Sequence, residues 1–215
     1  MSGKIGVIGT GTVGTTLADG FLKHGYEVMR GSRDAGKLGE WKSKAGPKAH
    51  VGSPSETAGF GDVVVLAVKG SAAEEAVAQC GGALDGKVVL DTTNPIADKP
   101  PTNGVVSFFT GPNDSLMERL QKRAPKARFV KAFSCVGAPL MIDPKLASKP
   151  SMFICGDDSG AKERARGILE KLGWEVEDMG SVEAARAIEP LCMLWCIPGF
   201  QRNDWANHAF KVVRK

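Results

Sequence analysis

The chain has 215 residues, 42% apolar and 24% charged, enough to bury a sizeable core in one α/β domain with a small appendage. A formal charge of +4 without a long Lys/Arg run favours anionic small molecules slightly and argues against a nucleic-acid binder. Five scattered cysteines (Cys80, Cys135, Cys155, Cys192, Cys196) form no CxxC and have no neighbouring histidine, so they read as reduced thiols and exclude a zinc site.

Strand-like and helix-like stretches then alternate. "KIGVIG" (4–9) reads as a short buried strand, and "TVGTTLADGFLKHG" as a helix with Val13, Leu17 and Phe21 on one face, ending at Gly25. "YEVMRG" (26–31) is a second strand, followed by a short helix over 36–44 and a third strand, "AHVG". In "SPSETAGFG", Ser53 suits the N-cap of a short helix, Pro54 its first turn and Glu56 a capping box. "DVVVLAV" (62–68) is the most apolar strand and belongs at the centre of a parallel sheet, covered on both faces. Helix "SAAEEAVAQC" and strand "KVVLD" follow, then a Pro- and Gly-rich stretch, 92–114, of the length that usually serves function. "SLMERLQKR" and "ARFVKAF" complete a sixth strand–helix step.

Beyond Pro150 the pattern restarts with strand "SMFICG", a helix that Asp157 or Asp158 can cap, strand "WEVEDMG" and a largely helical remainder. The prediction is an α/β protein with a doubly wound, mostly parallel sheet. Residues 1–148 form the dinucleotide-binding part, and 149–215 a small α/β extension on the cofactor cleft or a dimer interface. With the first strand so near residue 1 and no bilayer-length apolar run, the expected location is the cytoplasm, with no membrane contact.

"GTGTVG" places Gly9, Gly11 and Gly14 as G-x-G-x-x-G between a short strand and an amphipathic helix. In that setting Gly9 permits the tight turn, Gly11 admits a pyrophosphate to the backbone, and Gly14 lets helix and strand pack closely. The anion lies on free amides at a helix N-terminus, with Thr10 and Thr12 adding hydroxyls.

A ribose-binding carboxylate is expected roughly 20 residues after the glycines. That slot falls on Gly31 or Ser32, with Asp34 just beyond. In one reading Ser32, Arg33 and Lys37 hold the 2′-phosphate of NADP and Asp34 starts the next helix; in the other Asp34 binds the ribose of NAD and the basic residues are solvated. Three phosphate-compatible groups in one slot favour NADP. Arg30, alternating to the other face of the strand, reads as a surface residue.

The remaining strand ends carry "AVKG" (67–70), "DTTNPI" (91–96) and "FSCVGA" (133–138), expected around one cleft. Asn94, Thr93 and the amides near Gly137 suit a carboxamide, Asn94–Pro95 equally suits a plain turn, and Lys69 is a phosphate neighbour or merely exposed. His24, His50 and His208 read as structural or surface residues, which leaves no catalytic acid–base pair. Hydride transfer between ring cofactors needs close stacking rather than a protein base.

The segments "KIGVIGTGTVG", "GSR", "VVVLAVKG", "VVLDTTNPI", "VKAF", "FICGDD" and "DMGSVEAARAIEPLCMLW" resemble the NADP oxidoreductases dependent on the deazaflavin coenzyme F420. The same Rossmann unit resembles the cytosolic domain of the STEAP metalloreductases. The resemblance implies a hydride moving between NADPH and F420 or a flavin-like acceptor. Thr10, Thr12 and Val13 would lie on the pyrophosphate, and Ser32, Arg33 and Lys37 on the 2′-phosphate. Ala67, Val68 and Asn94, beside Lys69 and Pro95, would meet the nicotinamide, and the 133–138 loop with Gly137 and Ala138 would meet the deazaflavin. Alternatives are an NADPH-dependent flavin or ferric reductase using FMN or FAD, and a non-catalytic NADP-binding redox sensor.

The tail "AIEPLCMLWCIPGFQRNDWANHAF" carries apolar residues on nearly every helical face before Pro198, which predicts burial. Trp195, Phe200 and Trp205 suit core packing, a homodimer contact through the C-terminal helices, or a wall of the acceptor pocket.

Overall fold

The structure, a computed structural model, describes residues 3–215 apart from the side chain of Ala35. Its main sheet contains β1 (Lys4–Ile8), β2 (Glu27–Gly31), β3 (Ala49–Gly52), β4 (Val63–Leu66), β5 (Val88–Asp91) and β6 (Arg128–Lys131). All neighbours pair in parallel, in the order β3-β2-β1-β4-β5-β6. This is the doubly wound Rossmann arrangement, whose chain reverses direction across the sheet between β1 and β4.

The helices are α1 (Thr12–Lys23), α2 (Gly39–Lys44), α3 (Pro54–Phe60), α4 (Ala73–Cys80) and α5 (Leu116–Arg123). They follow the strands because each strand has two apolar faces to cover. On β4, Val63 and Val65 pack with Leu17 and Phe21 of α1, while Val64 and Leu66 pack with Val77 of α4 and Leu120 of α5. The Ser53–Glu56 capping box is present: Ser53 Oγ accepts from Glu56 N (3.2 Å), and Glu56 Oε2 accepts from Ser53 N (2.8 Å).

The C-terminal part adds β7 (Ser151–Ile154) and β8 (Glu175–Asp178), a parallel pair, with α6 (Ser159–Lys171) between them, capped by Asp158. Ala165, Ile168 and Leu169 of α6 and the buried Trp174 join the same apolar cluster as β1 and α1. The last helices are α7 (Ala185–Ile188) and α8 (Leu191–Arg202). The tail then returns to β7, where Ser151 N donates to Phe210 O (2.9 Å).

The expected burial of the C-terminal helix is only half met. Cys192, Trp195 and Gly199 are buried, but Leu194 and Phe200 are exposed. α8 runs through Pro198, which lies inside the helix. Residues 92–114 form an irregular hairpin held by Ile96–Phe108 and Thr102–Val105 bridges. Among the described residues, no helix is long and apolar enough to cross a membrane.

Candidate nucleotide and hydride-transfer site

Since all six strands run the same way, the turn after β1, the 32–37 loop and the loops after β4, β5 and β6 emerge along one edge of the sheet. The turn after β1 is built by its glycines. Gly9 sits at φ +141°, and a Cβ there would lie 2.1 Å from the Ala67 carbonyl oxygen. A Cβ on Gly14 would lie 2.7 Å from the Gly9 carbonyl oxygen, so α1 crosses this turn at backbone distance. Gly11 is the N-cap of α1 and supplies no side-chain acceptor, and the first turn carries no acid. The opening amides of a twelve-residue helix therefore face solvent beside exposed Thr10 and Thr12, with Val13 half-buried behind them.

Arg30 departs from expectation. It is buried beneath the turn, not on the surface: Nη2 donates to Gly9 O (3.1 Å), and the guanidinium lies 4.9 Å from the Trp41 ring centre. The indole N–H in turn donates to Asp19 Oδ1 (2.7 Å). β2 is an interior strand, so the face that carries Arg30 meets α1 and the Trp41 ring instead of water. Burial lowers the Arg30 pKa, with Asp19 opposing the shift.

Ser32, Arg33 and Lys37 share one cavity of about 430 Å³ with Gly9, Thr10 and Val68. Asp34 is occupied as a cap: its Oδ1 accepts from Gly36 N (3.0 Å) at the start of a short 3₁₀ turn. Ser32 Oγ accepts from Asp34 N (3.1 Å), which fixes the bend. Arg33 and Lys37 are exposed at the rim, and neither enters an ion pair among the described residues. Pro54, Ala72, Glu75, Ala76 and Gln79 close the other wall. Sequence reasoning missed these five, although the helical spacing of Ala72, Glu75, Ala76 and Gln79 puts them on one face of α4 and the turn before it.

After β4, Val68 lines that same cavity and is half-buried, while Ala67 is buried and Lys69 exposed. Pro95 is buried and Asn94 half-buried, with the Asn94 Oδ1 atom buried and without a protein partner. Asn94, Pro95, Gly137 and Ala138 lie outside the 430 Å³ cavity. Of the 133–138 loop, only Gly137 and Ala138 are half-exposed. Phe133 to Val136 turn inward, which corrects the expectation that the whole loop faces an acceptor. Phe133 takes φ +61° and packs edge-on against Trp174 at 6.4 Å, because the chain must turn sharply out of β6 into the core. Burial pushes the Cys135 thiol in this loop up to about 11, so it is not a thiolate at neutral pH. Gly137 lies under the Trp195 ring, where a Cβ would approach to 2.2 Å. Trp195 stacks on His208 at 4.9 Å and donates its N–H to His208 O (3.0 Å).

No histidine lines the cavity. His24 lies 2.9 Å from Asp143, and His50 2.9 Å from Glu27. Among the described residues no group of three or more His, Cys, Asp or Glu side chains is arranged to hold a metal ion.

Sequence reasoning also missed a buried charge network. Lys131, at the end of β6, lies 2.7 Å from Asp91 Oδ2 and 2.8 Å from Glu189 Oε1. Burial alone would push the Lys131 ammonium down, but the two carboxylates outweigh it and hold it above the usual lysine range. A lysine inside "RFVKAF" and an acid ending "KVVLD" were the available signal, since charges in buried strands must be paired.

Residues 4–95, which hold the glycine turn, the basic slot and Asn94, match the family model described as NADP oxidoreductase coenzyme F420-dependent. The F420-dependent NADP reductase of Methanothermobacter thermautotrophicus is 31% identical over 202 residues, covering 89% of this chain and 87% of that one. A crystal structure from Arthrobacter sp. FB24, assigned as an F420-dependent NADP-reductase, superposes with a TM-score of 0.91 at 32% identity, covering 99% and 100% of the two chains. Metalloreductase STEAP3 of Rattus norvegicus is 29% identical over 205 residues; the chain spans 38% of its length. Fold, glycine turn and near end-to-end similarity agree: the chain belongs to the F420-dependent NADP oxidoreductase family and is an NADP-dependent oxidoreductase.

Proposed function

We propose that this chain transfers a hydride between NADPH and a deazaflavin of the F420 type, with the nucleotide held along the strand-end edge. The observation that carries the nucleotide assignment is the shared cavity of Ser32, Arg33 and Lys37, in which the acid of the same loop, Asp34, is already committed to capping and the other acid, Glu75, lies on the opposite wall. A hydroxyl and two rim cations suit a 2′-phosphate, and a bare ribose has no use for them. The α1 amides, with Thr10 and Thr12, take the pyrophosphate. Val68 and Asn94 meet the nicotinamide, where the unpartnered Asn94 Oδ1 provides an acceptor for a carboxamide N–H.

When bound, NADPH supplies a hydride from its dihydronicotinamide ring, and the acceptor takes it with a proton from solvent. The chain binds, orients and shields the two rings. Gly137 and Ala138, the half-exposed end of the 133–138 loop backed by the buried Trp195, form the side on which the acceptor ring rests. The deazaflavin assignment draws on the relative that this chain matches over 87% of its length.

A second reading, reduction of a flavin or ferric chelate, is favoured by the similarity to STEAP3. A steady-state assay separates them. NADPH consumed with F420 supports the first reading; consumption only with FMN, FAD or ferric chelate supports the second. No consumption with any acceptor refutes both and leaves a binding module.

A further inference from the structure

The side chain of Lys131 is completely buried, and its ammonium has three acceptors. These are Asp91 Oδ2 (2.7 Å), the Thr93 carbonyl oxygen (2.8 Å) and Glu189 Oε1 (2.8 Å), which use all three N–H donors. Asp91 Oδ1 accepts from Thr93 N (2.9 Å) and Thr93 Oγ1 (2.6 Å). Glu189 Oε2 and Oε1 accept from Leu116 N and Met117 N, both at 3.0 Å, in the first turn of α5. The cluster thus holds two carboxylates against one ammonium, and the start of α5 supplies the remaining positive potential.

Stability alone is a poor reason to keep such a network, because a buried ionic triad replaced by well-packed apolar residues is often as stable or more so. What an apolar core cannot do is fix a carbonyl. Lys131 and Asp91 grip Thr93 by its carbonyl, its amide and its hydroxyl, so the backbone leading into Asn94 has one setting. From the other side, the Asn94 carbonyl packs on Gly70, where a Cβ would come within 2.0 Å. Glu189 lies two residues before α8, the helix whose Trp195 covers Gly137. One cluster therefore joins the β5 loop to the base of the C-terminal helix.

We propose that Lys131, Asp91 and Glu189 are positioning residues for the hydride-transfer end. They set Thr93–Asn94 so that Asn94 Oδ1 meets the nicotinamide carboxamide, and they hold α8 in register with that loop. The proposal rests on the NADP reading above. It predicts that the network affects the nicotinamide half of the nucleotide and leaves the adenosine half alone.

Two variants test it: Glu189→Gln, and the charge-free triple Asp91→Asn/Lys131→Met/Glu189→Gln, which leaves no unpaired buried charge should the single variant fold poorly. Calorimetry with 2′,5′-ADP reports the adenosine half, and NADP+ reports the whole nucleotide. The expected result is 2′,5′-ADP affinity within roughly twofold of the parent chain, as for a distant site. NADP+ should weaken about fivefold, the loss of one net hydrogen bond. The kcat should fall about tenfold or more, as misplacement of a reacting group requires. Parent-like NADP+ affinity and kcat in a folded variant would overturn the proposal, as would equal losses for 2′,5′-ADP and NADP+. Failure of the parent chain to bind either nucleotide would instead overturn the NADP reading, and the proposal with it.

Discussion

Replacing Arg33 by alanine removes a guanidinium that sits exposed at the rim of the 430 Å³ cavity and has no ion-pair partner among the described residues. No fold contact depends on it, so a loss of affinity reads out the ligand alone. A charge-assisted hydrogen bond contributes about 1.5–3 kcal/mol, and exposure places this one at the low end. About 1.5 kcal/mol corresponds to roughly a tenfold rise in the Kd for NADPH. NADH lacks the 2′-phosphate, so its Kd should stay within about twofold. Calorimetric titration of both nucleotides, at low and at high salt, checks this: the NADPH penalty should shrink as salt screens the rim. Equal losses for NADPH and NADH would refute the 2′-phosphate assignment.

Gly9→Ala should abolish NADPH binding and lower Tm, because the residue sits at φ +141° and its new Cβ would lie 2.1 Å from the Ala67 carbonyl oxygen; intact NADPH affinity would contradict the turn geometry. Acid stability should follow the paired carboxylates. Hydrogen bonds from Arg186 lower the Glu118 pKa, Lys23 lowers that of Asp143, and Arg214 lowers that of Glu177. Folded values below unfolded ones of about 4 mean that this stabilisation is complete above pH ~4 and is lost as pH falls through the folded values. Tm should therefore hold from neutral pH to about 5 and fall below about 4, less steeply in Glu118→Gln; an identical acid slope in that variant would remove Glu118 from the account.

The fold was legible because its signals are local. The apolar run of β4, the glycine turn and the Ser53–Glu56 capping box each lie within a few residues. The basic slot was legible for the same reason, since Ser32, Arg33 and Lys37 lie in one six-residue loop. Arg30 misled because alternation names two faces and does not say whether either is wet. Only the placement of β2 between β3 and β1, with Trp41 returning over it, shows that neither is. Phe133 misled because a bulky residue at positive φ has no sequence signature. The Lys131 network joins residues 91, 131 and 189, and no window along the chain contains all three. Lys131 and Asp91 betray themselves as charges in buried strands, whereas Glu189 sits before a proline in a helical region and looks like any surface acid.

The central claim is hydride exchange between NADPH and a deazaflavin, and anaerobic mixing of the purified protein with equal amounts of NADPH and coenzyme F420 tests it most directly. The account predicts that the two absorbance bands fall together with one F420 reduced per NADPH oxidised, and that NADH supports the reaction far less well. Persistence of both bands, under conditions where FMN or a ferric chelate does oxidise NADPH, would contradict it.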